Sequence, residues 1–133
     1  MKRNKELVEA IKNHNLEKVK DLTNEFKYLD MAADVNYQPE NDNSPLHYAV
    51  DVQDLNVCKV LIERFAEVNA QNMMGRTPLH QACCNGNLQI ANLLAYRMEI
   101  FLDVEDDDKN TPLHLASLNG HREIVKLLID QCS

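Results

Sequence analysis

One seven-residue segment occurs three times in this sequence at almost constant spacing. SPLHYAV begins at Ser44, TPLHQAC at Thr77 and TPLHLAS at Thr111, so the motif prolines stand 33 and 34 residues apart. The residues that follow also repeat, because small or aliphatic residues come nine and twelve positions after each motif alanine. Self-similarity with this period is typical of repeat proteins, in which each copy forms one supersecondary unit.

Each copy contains signals that begin and end a helix. The hydroxyl of Ser44, Thr77 or Thr111 can accept a hydrogen bond from a free N–H of the first helical turn. The proline that follows fits the first helical position, where no donor is needed. Asn85–Gly86 and Asn119–Gly120 predict a left-handed turn at the end of the first helix. The motif therefore predicts a helix, a turn and a second helix.

Other positions of the motif predict packing and strain. Its three histidines are His47, His80 and His114. We expect them to hydrogen-bond to the cap or to backbone across the adjacent hairpin. Gln53 replaces the turn glycine of the other units, which predicts a looser or strained turn. Lys109 occupies the position of Gly75, and a left-handed lysine costs about 1–2 kcal/mol, so we expect a different turn there.

A weaker copy precedes the three clear ones. Its apolar residues Val19 and Leu22 keep the motif spacing, whereas Lys18 and Asp21 occupy positions that are apolar in later units. A terminal repeat needs a polar outer face, so this copy is predicted to be an N-terminal cap. It carries about six extra residues around EFKYLDMAA, which we interpret as a longer second helix or a loop.

These motifs resemble the ankyrin repeat. The threonine-proline-leucine-histidine-x-alanine pattern, the Asn-Gly turns and the ADVNYQP and AEVNAQN segments all match that family, and the resemblance covers nearly the whole chain. It implies an all-α fold with short β-hairpin loops, in which antiparallel helix pairs stack as a solenoid. It predicts about four helix-turn-helix units in one domain over residues 1–133, with approximate bounds 1–38, 39–71, 72–105 and 106–133.

Composition and charge argue against several other classes of protein. The formal net charge of −7 and the lack of a basic face argue against nucleic-acid binding. No apolar run approaches the roughly 20 residues of a membrane helix, and the N-terminus lacks the apolar core of a signal peptide. The four cysteines show no paired spacing: Cys58, Cys83, Cys84 and Cys132. We therefore expect reduced thiols and a cytoplasmic protein, with a nuclear location as the alternative.

Cys83 and Cys84 follow His80 closely, which raises the question of a catalytic or metal site. A cysteine nucleophile needs a base within reach and a third group to orient that base. The same histidine recurs in two units that lack the cysteines, so its role is predicted to be structural. No zinc-ligand spacing occurs, and the acidic run DVEDDDKN lacks the order of a calcium-binding loop. We predict no catalytic residue, cofactor or metal, and expect His14 and His121 to be solvated turn residues.

The last helix keeps two apolar stripes. Ile124 and Leu127 are predicted to face the preceding unit, whereas Val125 and Leu128 are predicted to face outward. An exposed apolar end favours association. We expect that the chain continues in its parent protein or that a partner covers this end. The alternative is an exposed last helix kept soluble by neighbouring charges.

The resemblance also implies a binding surface, because partners of ankyrin repeats usually contact the hairpin tips and the concave face of the first helices. At the tips this surface comprises Glu40, Asn41, Asn43, Met73, Met74, Arg76, Asp107, Asp108 and Asn110. On the helices it comprises Lys12, Asn13, Asp51, Val52, Cys84, Asn85, Leu118 and Asn119. Adaptable methionines beside an acidic tip favour a partner that has a basic segment and an apolar anchor. Acidic tips that only maintain solubility are the alternative.

Three functional hypotheses follow from the resemblance. The first is a non-catalytic protein–protein interaction module. The second is a substrate-recruiting part of a larger enzyme or signalling protein. The third is a viral or bacterial mimic that intercepts a partner of host ankyrin repeats.

Overall fold

The computed structural model describes residues 2–24 and 32–132. These residues contain four helix pairs: α1 (Lys2–Lys12) and α2 (Leu16–Leu22), α3 (Pro45–Asp51) and α4 (Leu55–Glu63), α5 (Pro78–Asn85) and α6 (Leu88–Ala95), α7 (Pro112–Leu118) and α8 (Arg122–Cys132). A 3₁₀ helix, Pro39–Asn41, precedes α3. The predicted all-α fold is confirmed. The loops predicted as short β-hairpins contain hydrogen-bonded turns, and no strand occurs in the described residues.

The chain divides into two compact units, Met1–Glu67 and Val68–Ser133. In the first unit, α1 packs against α3 and α2 packs against α4. In the second unit, α5 packs against α7 and α6 packs against α8. Each unit therefore consists of two helix pairs stacked in register, as the sequence predicts. The assignment of residues 1–133 to a single domain stays a prediction.

The helix starts are built as the motif predicts. Each motif serine or threonine accepts a hydrogen bond from the backbone N–H of the histidine three residues later, and the histidine side chain accepts one from the cap backbone in return. In α5 the return bond runs from the Thr77 N–H to Nδ1 of His80 over 3.0 Å. This reciprocal cap satisfies two donors that the helix itself leaves free.

Five of the described non-glycine residues have a left-handed φ, and two of them, Gln53 and Lys109, test the predicted turns. Gln53 has a φ of 59°, so the strained turn predicted there is present. Lys109 has a φ of 67°, so the different turn predicted there is wrong. The Lys109 N–H donates to the Asp106 carbonyl at 3.0 Å, just as the Gly75 N–H donates to the Asn72 carbonyl at 2.9 Å. The surrounding hydrogen bonds therefore outweigh the cost of the left-handed lysine.

The first helix pair has the character of a cap. Val19 and Leu22 are buried, whereas Lys18 is exposed and Asp21 is half-buried. This pattern agrees with a polar face on the first pair. The predicted extra helix or loop lies largely in residues 25–31, which are outside the described residues.

Asparagine side chains connect neighbouring helix pairs. In the second unit, Oδ1 of Asn69 accepts from the Phe101 N–H at 2.9 Å, and its Nδ2 donates to the Glu99 carbonyl at 2.7 Å. Asn36 makes the equivalent two bonds in the first unit, to the turn that follows α4. Each amide thus satisfies both a donor and an acceptor in the turn of the following repeat.

Candidate functional site

The first hairpin tip of the second unit spans residues 72–76. Oδ1 of Asn72 accepts hydrogen bonds from the N–H groups of Met74, at 2.9 Å, and Arg76, at 3.1 Å. These bonds fix the backbone of the tip from inside. The side chains of Met73 and Met74 are left 68% and 52% exposed. Both residues therefore lie where the sequence places a contact surface.

The second tip repeats this arrangement with a carboxylate. Oδ1 of Asp106 accepts from the N–H groups of Asp108 and Asn110, both at 2.9 Å. Its Oδ2 lies 3.3 Å from Nε of Arg76. Asp106 is buried, whereas Asp107 and Asp108 are exposed. The acidic run therefore contains one buried structural carboxylate, Asp106, and four exposed ones, a distinction that its composition alone does not reveal.

The environment of Asp106 lowers the pKa of its carboxyl. Burial opposes ionisation, but the hydrogen bonds from the N–H groups of Asn110 and Asp108 and from Arg76 outweigh that penalty. Asp106 therefore stays charged, and its charge is neutralised locally by Arg76. Arg76 is among the residues predicted from the sequence to bind a partner. In the structure it is half-buried and forms an ion pair with Asp106.

The two tips are joined to each other. The Asp107 N–H donates to the Met74 carbonyl at 3.0 Å. A Cβ added to Gly75 would lie 2.6 Å from Oδ1 of Asp107, so the close approach of the tips requires glycine there. The exposed methionines and the exposed acidic residues consequently belong to one ordered surface, which we call the tip surface: Met73, Met74, Asp107 and Asp108.

Next to the tips, two predicted helix-surface residues, Cys84 and Asn119, come together with the tip residue Arg76. Sγ of Cys84 lies 3.8 Å from Nη1 of Arg76 and 3.8 Å from Nδ2 of Asn119. Asn119 also donates to the Leu115 carbonyl at 2.8 Å, which fixes its amide. The remaining predicted residues of this unit are exposed at Asn85 and Leu118 and half-buried at Asn110.

The cysteine beside this group has no features of a nucleophile. Cys83 is fully buried, and burial raises the pKa of its thiol to about 12. A thiolate, which is the reactive form, is therefore strongly disfavoured at neutral pH. Among the described residues, no group of three or more His, Cys, Asp and Glu side chains is arranged to hold a metal ion.

His80 uses both ring nitrogens for structure. The Thr77 N–H can only donate, so Nδ1 must accept, and the ring proton must be on Nε2. Nε2 then donates to the carbonyl of Asn110 in the next repeat at 2.9 Å. The pKa of His80 is lowered because burial outweighs the opposing effect of the hydrogen bond to Asn110. A lowered pKa agrees with a neutral ring. The predicted bond across the hairpin is confirmed for His80.

Of the two histidines predicted to be solvated, His14 and His121, only His121 differs from the prediction. His121 is half-buried, and its Nε2 donates to the Cys84 carbonyl at 3.1 Å. A Cβ on Gly86 would overlap its imidazole. The prediction for His121 is therefore wrong, because the ring fills the space above the glycine turn. His14 is exposed as predicted, but its Nδ1 also lies 3.0 Å from Oδ2 of Asp54.

The outward stripe predicted for the last helix needs correction. Leu128 is 1% exposed, so it belongs to the core and not to an outer face. Val125 is half-buried, and Ile129 is 51% exposed. In the preceding repeat the equivalent residues Ala91 and Ala95 are buried. Helical geometry explains the error, because α8 turns Ile129 outward and Leu128 inward.

A shallow groove of about 380 Å³ lies on this outer face. It is lined by Ser117, Gly120, Arg122, Val125, Lys126 and Ile129. Leu118 is 78% exposed. We call the groove residues Val125 and Ile129 the terminal apolar face.

In the first unit, the predicted binding residues differ in their exposure to solvent. Glu40 and Asp51 are exposed, whereas Asn43 and Val52 are half-buried. Lys12 and Asn13 on α1 are exposed. The side chain of Asn41 lies outside the described part of the structure.

The structure adds a groove that the sequence analysis missed. It has a volume of about 240 Å³ and is lined mainly by Val8, Glu9, Tyr37, Pro39 and Tyr48. These residues come from α1, from the segment before the 3₁₀ helix and its first residue, and from α3. The lining residues are far apart in the sequence, so the sequence does not reveal the groove. Tyr37 and Tyr48 stand at different positions of the repeat and therefore form no repeated pattern.

Comparison with known proteins identifies the family to which this all-helical repeat fold belongs. The family model described as "Ankyrin repeats (3 copies)" matches residues 7–106 and 73–133. The chain therefore belongs to the ankyrin-repeat family, and the predicted membership is confirmed. No helix among the described residues is long and apolar enough to cross a membrane.

Several curated proteins are similar to parts of the chain. A putative ankyrin repeat protein of Rickettsia bellii (strain RML369-C) is 32% identical over 95 residues, which cover 71% of this chain and 56% of that protein. The probable E3 ubiquitin-protein ligase XBOS33 of Oryza sativa subsp. japonica is 38% identical over 39% of this chain and 10% of its own length. NF-kappa-B inhibitor alpha of Gallus gallus is 32% identical over 47% of this chain and 20% of its own length. The alignments thus cover about half or less of each relative.

Proposed function

We propose that this chain is a non-catalytic protein-interaction module that binds a protein partner through its hairpin tips and the adjoining surface of its first helices. One observation supports this most directly. At the two tips of the second unit, Asn72 and Asp106 fix the backbone, while the tip surface is exposed to solvent. An ordered backbone that presents variable side chains lowers the entropic cost of binding.

The side chains of the tip surface suggest the chemistry of the partner. Met73 and Met74 offer flexible, polarisable apolar contacts. Asp107 and Asp108 add negative charge beside them, and Arg76 does not cancel this charge because it is paired with Asp106. We therefore propose a partner segment that contains basic residues next to a large apolar anchor. Such complementarity contributes mainly to the association rate and to specificity.

The test is a variant that carries Asp107→Lys, Asp108→Lys, Met73→Ser and Met74→Ser. Partners captured by the wild-type chain are identified by mass spectrometry, and their binding is then measured with purified proteins. The variant should lose these partners. A matched control changes charge and apolar surface equally elsewhere in the second unit, with Glu123→Lys, Asp130→Lys, Met98→Ser and Phe101→Ser. The control should retain them. Equal loss in both variants, or no loss in the tip variant, would refute the tip surface.

The terminal apolar face supports a second contact in the same function. We propose that a partner or a further helix pair covers it, since Ile129 is half-exposed while the equivalent Ala95 is buried. Ile129→Glu should abolish any self-association seen by sedimentation and should weaken partners that bind this face. Unchanged sedimentation and unchanged partner binding would remove the face from the proposal.

The module could act alone or recruit targets for a larger protein. The rice relative is a probable E3 ubiquitin-protein ligase, but the chain matches only 10% of its length, so no catalytic role is transferred. Similarity to a Rickettsia protein is compatible with the mimic hypothesis. We place the protein inside the cell, in the cytoplasm or nucleus, because its four cysteines are unpaired thiols.

A further inference from the structure

The groove in the first unit has aromatic and apolar walls. Tyr37 and Tyr48 line it together with Pro39 and Val8, and Glu9 contributes a carboxylate. Both tyrosines are half-buried, so part of each side chain is accessible to a ligand. Aromatic walls beside a carboxylate favour cations that have a flat or weakly hydrated charged group.

The protein already places a cation on one of these rings. Nζ of Lys12 lies 5.2 Å from the centre of the Tyr48 ring, within the range of a cation–π interaction. The Lys12 side chain extends from an exposed position at the end of α1. A long, exposed lysine can leave the ring at little cost, because cation–π contacts at exposed sites are weak.

The surroundings of Tyr48 are negative. Its pKa is raised, first by burial and then by the nearby carboxylates of Asp42 and Asp51. Together with Glu9, these side chains place three carboxylates near the groove. Lys5 also lines it and opposes their effect. The local potential therefore favours an incoming cation, and the effect would increase if a resident lysine were removed.

We propose that this groove binds an arginine side chain of a protein partner, with the guanidinium stacked on Tyr48 in place of the Lys12 ammonium and paired with Glu9. A guanidinium is planar, carries five donors and is weakly hydrated, which suits a groove of rings and carboxylates. The inference rests on the proposed role in protein binding and adds a contact point in the first unit, separate from the tip surface. Lys12 acts as an internal competitor for the site.

The experiment uses N-acetyl-arginine amide as the probe. It is titrated into the isotopically labelled full chain, and backbone amide shifts are followed by NMR. We expect saturable shifts in α1 and in residues 37–48. N-acetyl-citrulline amide has nearly the same shape without the charge and should cause none, and N-acetyl-lysine amide should bind more weakly. Equal effects of arginine and citrulline, equal binding of arginine and lysine, or no shifts at all would overturn the inference.

Four substitutions separate the contributions. Lys12→Ala should tighten probe binding about two- to fivefold, because it frees the ring as well as removing a charge. Lys5→Ala removes the same charge without freeing a ring and should have a smaller effect. Tyr48→Leu should weaken binding by a similar factor, whereas Tyr48→Phe keeps the ring and should bind normally. Equal effects of the two lysine substitutions, or an unaffected Tyr48→Leu, would exclude stacking.

The outcome is independent of the tip surface. The fourfold tip variant should bind the arginine probe as the wild-type chain does. If it loses the probe while Tyr48→Leu keeps it, arginine binds at the tips and the groove is excluded. If the groove fails but the tip variant still loses its captured partners, the proposed function stands without this contact.

Discussion

Substitution of His80 by alanine should destabilise the protein much more than the same substitution at His114. Both imidazoles complete the same cap, with Nδ1 accepting from the cap N–H at 3.0 Å. They differ beyond the cap, because His80 is fully buried and its Nε2 donates to the Asn110 carbonyl at 2.9 Å. His114 is exposed. The pair therefore separates the bond between repeats from the bond within the cap.

The expected costs follow from these contacts. Loss of the cap bond alone should cost about 0.5–1 kcal/mol, since water replaces it at an exposed site. At His80, the same loss is joined by an unsatisfied Asn110 carbonyl, about 1–3 kcal/mol, and by the cavity left by a buried ring. The difference should be at least about 2 kcal/mol, or roughly a 30-fold change in the unfolding equilibrium constant.

Urea unfolding followed by far-UV circular dichroism measures both costs at neutral pH. A pH series adds a second readout. Because burial lowers the pKa of His80, the unfolded chain binds a proton at higher pH than the folded chain does. The wild-type free energy of unfolding should therefore fall as pH decreases below about 6.5, and His80→Ala should lack this component. Equal costs at His80 and His114, with parallel pH profiles, would refute the assigned tautomer and the bond to Asn110.

Two further predictions concern the turns. Asp106→Asn should retain its turn but cost about 1–2 kcal/mol at neutral pH. The lowered pKa means that this stabilisation is present above about pH 4, and the difference from wild type in urea unfolding should shrink as acid protonates the carboxyl. Gly86→Ala should cost at least about 1 kcal/mol more than Gly120→Ala, because both have a φ of 73° but only Gly86 faces an imidazole, that of His121. Equal melting temperatures for the two alanine variants would contradict this packing.

The helix pairs were predictable because their signals are local. A cap residue, a proline and a histidine within four positions determine where α3, α5 and α7 begin, and the spacing between copies then determines the fold. The left-handed Lys109 was not predictable from its own preference, since the Asp106 side chain holds that turn through two backbone N–H groups. The backbone preference of a single residue gave the wrong answer where the hydrogen bonds of the Asp106 side chain within the same turn outweighed it.

The candidate sites depend on information that lies further apart in the sequence. Motif alignment placed Leu128 on the outer face, but the facing helix decides which side of α8 is covered. Similarly, Tyr37 and Tyr48 occupy positions that have no aromatic equivalent in the other repeats, so no repeat pattern draws attention to them. Their proximity to α1 appears only once the helix pairs are stacked.

The asparagine connections between repeats have a consequence for chemical ageing. Asn69 uses its Nδ2 as a donor and its Oδ1 as an acceptor toward the turn of the following repeat. Deamidation would convert this amide into a carboxylate, which cannot donate and would repel the Glu99 carbonyl. A single hydrolytic event at this solvent-accessible amide would thus loosen the junction between two repeats without breaking the chain, so the shelf life of the folded protein is linked to the two amides that align its turns.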